Sequence, residues 1–334
     1  MKIILSILFF GYLNAGMNDN YGMNKSEAEI CNFFSNYSVD RSDNTINGLI
    51  YFSFDNGATW EDKSTGLPAD INLTDLAVSD ELLMASTKQH GIFIYDFQKN
   101  SWGNTLAKPA TSKNIDVVNI YNDKIYIGTQ DDGIFITSDN GKSWLMYNKG
   151  LQNLTIRRIA IIDNEIFVAT NGGIYSLNEQ ENKWDFEFGH RMLQVNGITD
   201  VDGEIYIGTN QGVYKSNKQY KNWKQIMTNI SLHNISADNQ NVYALAYNEL
   251  FSSADKGDTW RSVQQGLPKG LYTFQLKQKG DNVFIGQWDG VYKKEGHNKW
   301  IHISKGIPNK FAVTELVIYK KILIAGSSVR FLNK

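Results

Sequence analysis

The chain has 334 residues, which allows one large domain or two of ordinary size. Its 33 basic and 35 acidic residues give a formal net charge of −2, which argues against a protein that coats nucleic acid or an anionic membrane. A single cysteine excludes a disulfide framework, and no Cys/His cluster has the spacing of zinc ligands. With 13% aromatic residues, 28 glycines and 4 prolines, the composition favours a sheet protein with tight turns.

The first residues have the layout of a secretory signal peptide. Residues 1–16 start with the basic Lys2, continue with an apolar run and end with small residues. We predict that this segment is a signal peptide and that the protein is secreted to the extracellular space or periplasm. The alternative is that residues 1–16 form a buried first strand. Residues 17–47 are polar and are expected to be a lead-in to the folded domain, residues 48–334.

Two further features bear on a membrane anchor. Cys31 lacks the small preceding residues of a lipobox, so we interpret it as a lone thiol. No stretch after the signal peptide approaches the roughly 18 apolar residues that a spanning helix needs, so we expect no membrane span.

Tryptophan residues mark an internal repeat. Seven of them recur at intervals of 37 to 42 residues, and Trp288 is out of phase. The seven are Trp60, Trp102, Trp144, Trp184, Trp223, Trp260 and Trp300. Each unit also contains two short apolar runs, such as 124–129 and 133–137, bounded by Gly, Asn and Asp turns. With a third run before these and a fourth that contains the tryptophan, each unit has the four short strands of a propeller blade.

The two ends of the chain predict how the ring of blades closes. The first repeat begins in mid-unit near Gly48 and the last one ends in mid-unit after Thr314, so the terminal strands can complete one shared blade. Six whole units and one split unit predict an all-β fold, a seven-bladed β-propeller of four-stranded antiparallel blades. A six-bladed ring would leave one repeat without a place, and a solenoid would need capping units.

Three units carry a sharper motif that ends at the tryptophan. Its members are Ser53, Asp55, Gly57 and Trp60 in the first copy, Asp139, Gly141 and Trp144 in the second, and Ser253, Asp255, Gly257 and Trp260 in the third. A tight hairpin needs an Asp to accept backbone N–H bonds and a Gly to adopt a positive φ, and the Trp is expected to pack between adjacent sheets. The motif resembles the Asp-box, or bacterial neuraminidase (BNR) repeat, of sialidase-like and WD40/YVTN-like propellers. In that family the box lies on the rim, so the resemblance implies a structural role.

A second spacing recurs in four units. A Gly-Leu or Gly-Ile pair follows the tryptophan after five residues. The four glycines are Gly66, Gly150, Gly266 and Gly306. The resemblance to Asp-box propellers covers residues 48–334.

Enzymatic interpretations need residues that this chain lacks. Sialidases resemble it in fold and Asp-boxes, but they hold a substrate carboxylate with three arginines. The chain has only six arginines, and Arg261 follows a box tryptophan, from which it cannot reach the axis. Asp-box xyloglucan-cleaving enzymes place their acids between two propellers, and one propeller supplies half of such a cleft. We predict a non-catalytic protein without cofactor or metal; the alternative is a glycoside hydrolase of sialidase-like fold.

One face of a propeller carries the loops between second and third strands and the loops between successive blades, and this face usually binds. The candidate partner-binding residues there are Trp288, Asp289, Arg157, Arg158, Arg191, His190, Asp131 and Asp132. Trp288 is interpreted either as an exposed surface for a sugar or protein, or as a side chain that packs inward over the channel mouth. The arginines are interpreted either as a basic patch for an acidic partner or as solvated loop charges.

A second family shares the layout. Single seven-bladed Asp-box chains with a signal peptide resemble the photosystem II assembly factor family, which implies a non-catalytic binder of a partner protein. We predict a secreted, monomeric binding propeller that recognises a protein or a glycan through its loop face, and that does not bind nucleic acid.

Overall fold

The computed structural model describes residues 48–68, 71–106, 109, 114–217, 222–269 and 273–327. These residues belong to one compact unit, Thr45–Asn333. The predicted signal peptide and lead-in fall outside the described residues and stay predictions. Within the described part of the chain, no helix has the length and apolar character that crossing a membrane requires.

The described strands form seven four-stranded antiparallel sheets, which confirms the predicted seven-bladed propeller. Blade 1 contains β3 (Leu73–Val78), β4 (Leu83–Thr87), β5 (Gly91–Asp96) and β6 (Ser101–Leu106). Blade 2 contains β7 (Ile115–Tyr121), β8 (Lys124–Thr129), β9 (Ile134–Thr137) and β10 (Leu145–Met146). Blade 3 contains β11 (Ile156–Ile162), β12 (Glu165–Thr170), β13 (Gly173–Asn178) and β14 (Lys183–Phe188).

The remaining four blades follow the same plan. Blade 4 contains β15 (Val195–Val201), β16 (Glu204–Thr209), β17 (Gly212–Asn217) and β18 (Lys224–Thr228). Blade 5 contains β19 (Leu232–Ala237), β20 (Val242–Ala246), β21 (Leu250–Ser253) and β22 (Arg261–Ser262). Blade 6 contains β23 (Gln275–Lys279), β24 (Asn282–Gln287), β25 (Gly290–Glu295) and β26 (Lys299–His302). Blade 7 combines β27 (Glu315–Tyr319) and β28 (Ile322–Gly326) with β1 (Ile50–Ser53) and β2 (Glu61–Asp62).

Blade 7 closes the ring as the sequence predicts. Strand β1 pairs antiparallel with β28 from Ile50 opposite Gly326 to Ser53 opposite Leu323. The sheet order is β2-β1-β28-β27, so two strands from each end of the described chain share one sheet. Pairing the two ends removes the exposed edge that an open ring of blades would present.

Turn residues set the register between the first and second strands. Between β7 and β8, Asn122 and Asp123 have φ values of 47° and 58°, and between β11 and β12, Asp163 and Asn164 have values of 47° and 66°. Two successive positive φ values are typical of the type I′ turn, whose twist matches a two-residue hairpin. Asn and Asp tolerate this conformation better than most residues, which explains their recurrence at these turns.

The three Asp-containing turns have one hydrogen-bond pattern. In the turn between β21 and β22, the Asp255 carboxylate accepts bonds from the Thr259 N–H at 2.8 Å and the Thr259 hydroxyl at 2.6 Å. The Ser253 hydroxyl accepts a bond from the Gly257 N–H at 2.7 Å, and Gly257 has a φ of 92°. The other two turns repeat these bonds around Asp55 and Asp139. In all three, the tryptophan directly precedes the fourth strand and does not lie within it, which corrects the expectation for these blades.

The Gly-Leu/Ile spacing forms a repeated contact between successive blades, which we call the clasp. At the interface between blades 2 and 3, the Trp184 N–H donates to Lys149 O at 2.8 Å and its indole N–H donates to Tyr147 O at 2.7 Å. Gly150 has a φ of 96°, and a Cβ there would lie 2.1 Å from Trp184 O. The same contacts join Gly66 to Trp102, Gly266 to Trp300 and Gly306 to Trp60.

Within the described part of the chain, four interfaces between blades therefore carry a clasp, and their tryptophans are 2–4% exposed. At the next interfaces along the chain, blades 3 to 4 and 4 to 5, the positions of the clasp glycine hold His190 and Asn229. Among the described residues, the indole N–H groups of Trp223 and Trp260 at these two interfaces have no hydrogen-bond partner. Trp223 instead stacks on Phe188, with ring centroids 5.1 Å apart.

Candidate functional site

The loops between second and third strands meet the loops between blades on one face, which we call the loop face. The Gly133 N–H in the second-to-third-strand loop of blade 2 donates to Leu154 O in the loop between blades 2 and 3. Asn210 in blade 4 likewise donates to Met192 O in the loop from blade 3. Hydrogen bonds between the two kinds of loop therefore hold the loop face together.

A threonine at the end of the second strand shapes four of these loops. The Thr129 hydroxyl donates to Gly133 O at 2.9 Å and accepts from the Asp132 N–H at 3.0 Å. Thr87, Thr170 and Thr209 make the same pair of bonds in blades 1, 3 and 4. These threonines were not among the predicted site residues, although they recur in the sequence at the end of the second apolar run.

Blade 6 differs at this position and contains Trp288. The ring is 6% exposed and packs against Phe274, with centroids 4.8 Å apart. The interpretation of Trp288 as an exposed stacking surface is therefore wrong, and its inward-packing alternative describes the structure. Asp289 accepts a hydrogen bond from the Tyr292 hydroxyl at 2.9 Å. Burial of a large aromatic ring stabilises the blade but leaves little of it for a partner.

The predicted loop position of Arg157 and Arg158 is also corrected. Both residues lie in β11, the first strand of blade 3, at a β-bulge between Ile156 and Arg158. The bulge lets two consecutive arginines leave the regular alternation of the strand. The Arg157 guanidinium donates to the Gln194 side chain at 3.2 Å, whereas Arg158 interacts with charged groups around the axis.

The loop between blades 3 and 4 presents His190, Arg191 and Met192 on the surface. His190 and Arg191 are exposed, and Met192 is 60% exposed. The backbone of this segment is nevertheless held, because Leu193 N donates to His190 O and Asn210 bonds Met192 O. Ordered backbone with exposed side chains suits recognition, since little conformational entropy remains to be lost on binding.

Apolar side chains are exposed on the same side of blade 3. Leu154 is 38% exposed and Phe186 is 47% exposed. Leu154 lies in the loop that enters blade 3, and the Phe186 ring lies beside Gly173, the first residue of β13. We call the group Leu154, Arg157, Phe186, Arg191 and Met192 the blade 3 patch.

Two acidic residues lie beside the blade 3 patch on the blade 2 side. Asp131 is exposed and Asp132 is half-buried in the loop between β8 and β9. The Asp132 carbonyl accepts a bond from the Asn148 side chain at 2.8 Å, which fixes the loop. The two acids therefore belong to the loop whose Gly133 N–H bonds Leu154 O of the blade 3 patch.

The first strands bring several charged residues together in the axial channel, and of these only Arg158 was among the predicted site residues. In each blade, one residue of the first strand is paired with a residue at or next to the end of the second strand. In five blades this position is polar or charged, and we call these residues the axial ring: Asp75 opposite Ser86, Arg158 opposite Ala169, Asn234 opposite Leu245, Gln275 opposite Gly286 and Glu315 opposite Gly326. Lys277 lies two residues further along β23.

Hydrogen bonds hold the acidic side of the axial ring. The Asp75 carboxylate accepts from the N–H groups of Leu76 at 2.9 Å and of Val118, in the next blade, at 3.0 Å. The Gln275 side chain donates to the Glu315 carboxylate at 3.3 Å. Within the described part of the chain, no salt bridge joins Asp75 or Glu315 to Arg158 or Lys277.

Burial raises the pKa values of both axial acids. Burial raises the pKa of Asp75 to about 6, against the opposing effects of Arg158 and of two backbone N–H bonds. Burial, and then the charge of Asp75, raise the pKa of Glu315 well above its ordinary value. Both carboxyl groups thus resist ionisation, Asp75 because it is buried and Glu315 because it is buried beside a negative charge.

The basic groups of the channel shift in the opposite direction. Burial lowers the pKa of Lys277, and Arg158 adds to this effect while Asp75 and Glu315 oppose it. Burial, followed by the charge of Arg158, lowers the pKa of His233 to about 3, so this ring is neutral near pH 7. The first strands of blades 1, 3, 5, 6 and 7 bring these charged groups close enough together to interact electrostatically.

The predicted site residues thus fall into three places. Arg191, His190 and Arg157 lie together near blades 3 and 4, with Asp131 and Asp132 beside them, and Trp288 and Asp289 lie apart in blade 6. Arg158 belongs to the axial ring. The sequence signal for that ring was a charged residue within several of the apolar first runs, as in LTDLAV, QLKQK and TELVIY. Among the described residues, no group of three or more His, Cys, Asp or Glu is arranged to hold a metal ion.

Comparisons with known proteins support the fold. No protein-family model matches the chain, and no curated protein matches it. The extracellular domain of the hybrid two-component system BT4673 from B. thetaiotaomicron is 16% identical, with a TM-score of 0.63 over 79% of this chain and 38% of that chain. YCF48 bound to a D1 peptide is 14% identical, with a TM-score of 0.61 over 78% of this chain and 93% of that one. BamB from Moraxella catarrhalis is 13% identical, with a TM-score of 0.55 over 80% and 85%.

These similarities establish a seven-bladed propeller as the class of this protein. The chain spans 38% of the length of the BT4673 extracellular domain, so the similarity concerns part of that chain. At identities of 13–16%, the likeness concerns the fold.

Proposed function

We propose that this protein is a non-catalytic binding propeller that recognises a protein partner through the blade 3 patch. The observation that carries the proposal is the exposure of Met192, Leu154 and Phe186 around blade 3, where Arg191 is also exposed and the half-buried Arg157 guanidinium bonds Gln194. Exposed large apolar side chains next to arginines are typical of the energetic centre of an interface.

The charges of the patch define the partner. Arg157 and Arg191 favour a segment with acidic residues, and the apolar side chains favour Leu-, Ile- or Phe-type anchors in the same segment. Asp131 and Asp132 on the neighbouring loop repel an acidic segment, so they orient the partner with its acidic part toward blades 3 and 4. We infer a partner of mixed acidic and apolar character.

Other propellers support this interpretation. The structure of YCF48 with a D1 peptide and the BamB structure concern propellers of related fold, and the BT4673 propeller belongs to an extracellular domain. Together with the signal-peptide pattern of residues 1–16, they support a secreted protein that acts by binding. The Asp-box interpretation of the three Asp-containing turns rests on the motif and on their shared hydrogen bonds.

A peptide selection tests the proposal. The full chain is immobilised and a random peptide library displayed on phage is selected against it, and enriched peptides are measured by fluorescence anisotropy. We expect acidic peptides with apolar anchors, whose affinity falls about tenfold or more in the Arg191→Ala, Met192→Ser double variant. Arg261→Ala, an exposed arginine on β22 of the rim, is the matched control and should bind as the wild type does.

Three results would contradict the proposal. One is enrichment of basic peptides, and another is an equal loss in the Arg261→Ala control. The third is binding of glycans on an array with no peptide enrichment, which would favour the glycan as partner.

The axial acids keep the hydrolase alternative testable. Asp75 and Glu315 are two neighbouring carboxyl groups with raised pKa values, a feature that glycoside hydrolases use. Release of sugar from a polysaccharide panel, abolished by Glu315→Gln, would favour that alternative over a binding protein.

A further inference from the structure

We propose that the axial ring is a second binding site, which takes a small zwitterion of the amino-acid type with its ammonium group against Asp75 and Glu315 and its carboxylate against Arg158. This site lies in the channel and uses none of the residues of the blade 3 patch. It is therefore independent of the proposed protein partner.

The arrangement of charge in the channel supports a dipolar ligand. Asp75 and Glu315 come from blades 1 and 7, which are neighbours in the closed ring. Arg158 comes from blade 3, which lies across a seven-membered ring from blades 6 and 7, and Lys277 of blade 6 adds a second positive charge deeper in the channel. The acids thus come from blades 1 and 7, and the guanidinium group comes from blade 3 and acts electrostatically on both of them.

The acidic side is organised before any ligand arrives. Val118 and Leu76 hold the Asp75 carboxylate through their backbone N–H groups, and Gln275 holds the Glu315 carboxylate. The Asn234 amide in turn donates to the Gln275 side-chain oxygen at 3.4 Å and to Phe274 O at 3.3 Å. Side chains fixed by such bonds lose little freedom on binding, which favours affinity.

Repulsion between the two acids gives a ligand ammonium group a clear role. The charge of Asp75 contributes to raising the pKa of Glu315, so the two carboxylates disfavour each other. A cation between them offsets that repulsion, and a buried charge is stable only when it is paired. A guanidinium group holds a planar carboxylate through paired N–H donors, which matches the other end of the same ligand.

The balance of charge argues for a zwitterion over a simple ion. The axial ring together with Lys277 holds two acidic and two basic groups. A lone cation would satisfy the acids but face Arg158 and Lys277, and a lone anion would do the reverse. A ligand that carries both signs pairs with both sides and adds no net charge to a buried site.

Calorimetric titration of the full chain tests the site. Each of the free proteinogenic amino acids is titrated singly, and any that binds is titrated again as its N-acetyl form and as its carboxamide. N-acetylation removes the ammonium charge and amidation removes the carboxylate charge. We expect each modification to weaken binding about tenfold or more, because each breaks one charge-assisted contact in a buried channel.

Variants assign each end of the ligand to its partner in the channel. Glu315→Gln should weaken the free amino acid about tenfold but leave the affinity of the N-acetyl form unchanged, and Arg158→Gln should do the same for the carboxamide. Arg261→Gln on the rim is the control and should bind as the wild type does. Circular dichroism of each variant checks that it is folded.

Two results would overturn the proposal. The first is that no free amino acid binds the folded wild-type chain. The second is that binding is unchanged in both Arg158→Gln and Glu315→Gln, which would place the ligand elsewhere. Either failure would leave peptide binding at the blade 3 patch unaffected, so the two proposals are distinguished.

Discussion

The interfaces between blades 2 and 3 and between blades 3 and 4 lie on the two sides of one sheet, yet they are built differently. At the first, Gly150 and its neighbours form a clasp around Trp184, with two hydrogen bonds to that residue. At the second, His190 occupies the position of the clasp glycine, and Trp223 stacks on Phe188 with its indole N–H unpaired among the described residues.

The difference shows that the loops between blades are not all committed to the same contact. Where the clasp is present, the loop between blades is held against the next tryptophan and its residues are committed to that contact. Where the glycine is replaced, the loop carries His190, Arg191 and Met192 on the surface. The blade 3 patch thus includes the loop that the clasp does not use.

The largest expected effect is the loss of a clasped tryptophan. Trp184→Ala should destabilise the protein by about 3–5 kcal/mol, because it removes a fully buried ring. Trp223→Ala should cost less, because that ring is half-buried and makes no clasp. Urea unfolding followed by circular dichroism measures both, and an equal loss in the two variants would break the comparison.

The clasp glycine is expected to have the next largest effect. Gly150→Ala should cost about 1–3 kcal/mol, because the residue has a φ of 96° and a Cβ would lie 2.1 Å from Trp184 O. Gly280→Ala is the matched control, since Gly280 also has a positive φ, of 57°, but no atom lies within 4 Å of the added Cβ. Urea midpoints that fall equally for both would mean that backbone strain, and not the clasp, sets the cost.

The axial ring predicts a pH dependence that does not involve the clasp. Because the folded protein raises the pKa of Glu315 above its unfolded value near 4.3, the stability linked to this group is complete at low pH and declines as the pH rises. Glu315→Gln cannot ionise, so its melting temperature relative to the wild type should increase between about pH 4 and pH 7. Glu81→Gln, an exposed acid, serves as the control; a constant difference for Glu315→Gln would refute the buried-acid assignment.

The smallest expected effect compares Asp-containing turns at the two kinds of interface. Hydrogen bonds from the Thr259 hydroxyl and N–H lower the pKa of Asp255 to about 2, below the ordinary value of 3.8, so the stability that it contributes is present above pH 3.8 and lost toward pH 2. Asp255→Asn should reduce stability slightly at pH 7 and not at pH 2. Asp55→Asn should reduce it less, because the clasp also holds Trp60. A larger loss for Asp55→Asn in thermal melts would contradict this order.

Parts of the site could be predicted and parts could not. The exposed loop with His190 and Arg191 followed from its position between two repeats, and the structure places it on the loop face. The exposure of Trp288 and the loop position of Arg158 were wrong for physical reasons. The Trp288 ring packs on Phe274, and a bulge in β11 directs Arg158 toward the axis. Neither feature can be read from the periodicity of the sequence.

By itself, the sequence determined the architecture: seven tryptophan units, turns that favour positive φ, and terminal strands that complete one blade. These are local signals, since a turn or a strand depends on residues close together in the chain. Only the tertiary structure decided which charges meet. Asp75, Arg158, Lys277 and Glu315 lie as much as 240 residues apart in sequence, and they approach one another because the ring closes and brings every first strand to the same axis.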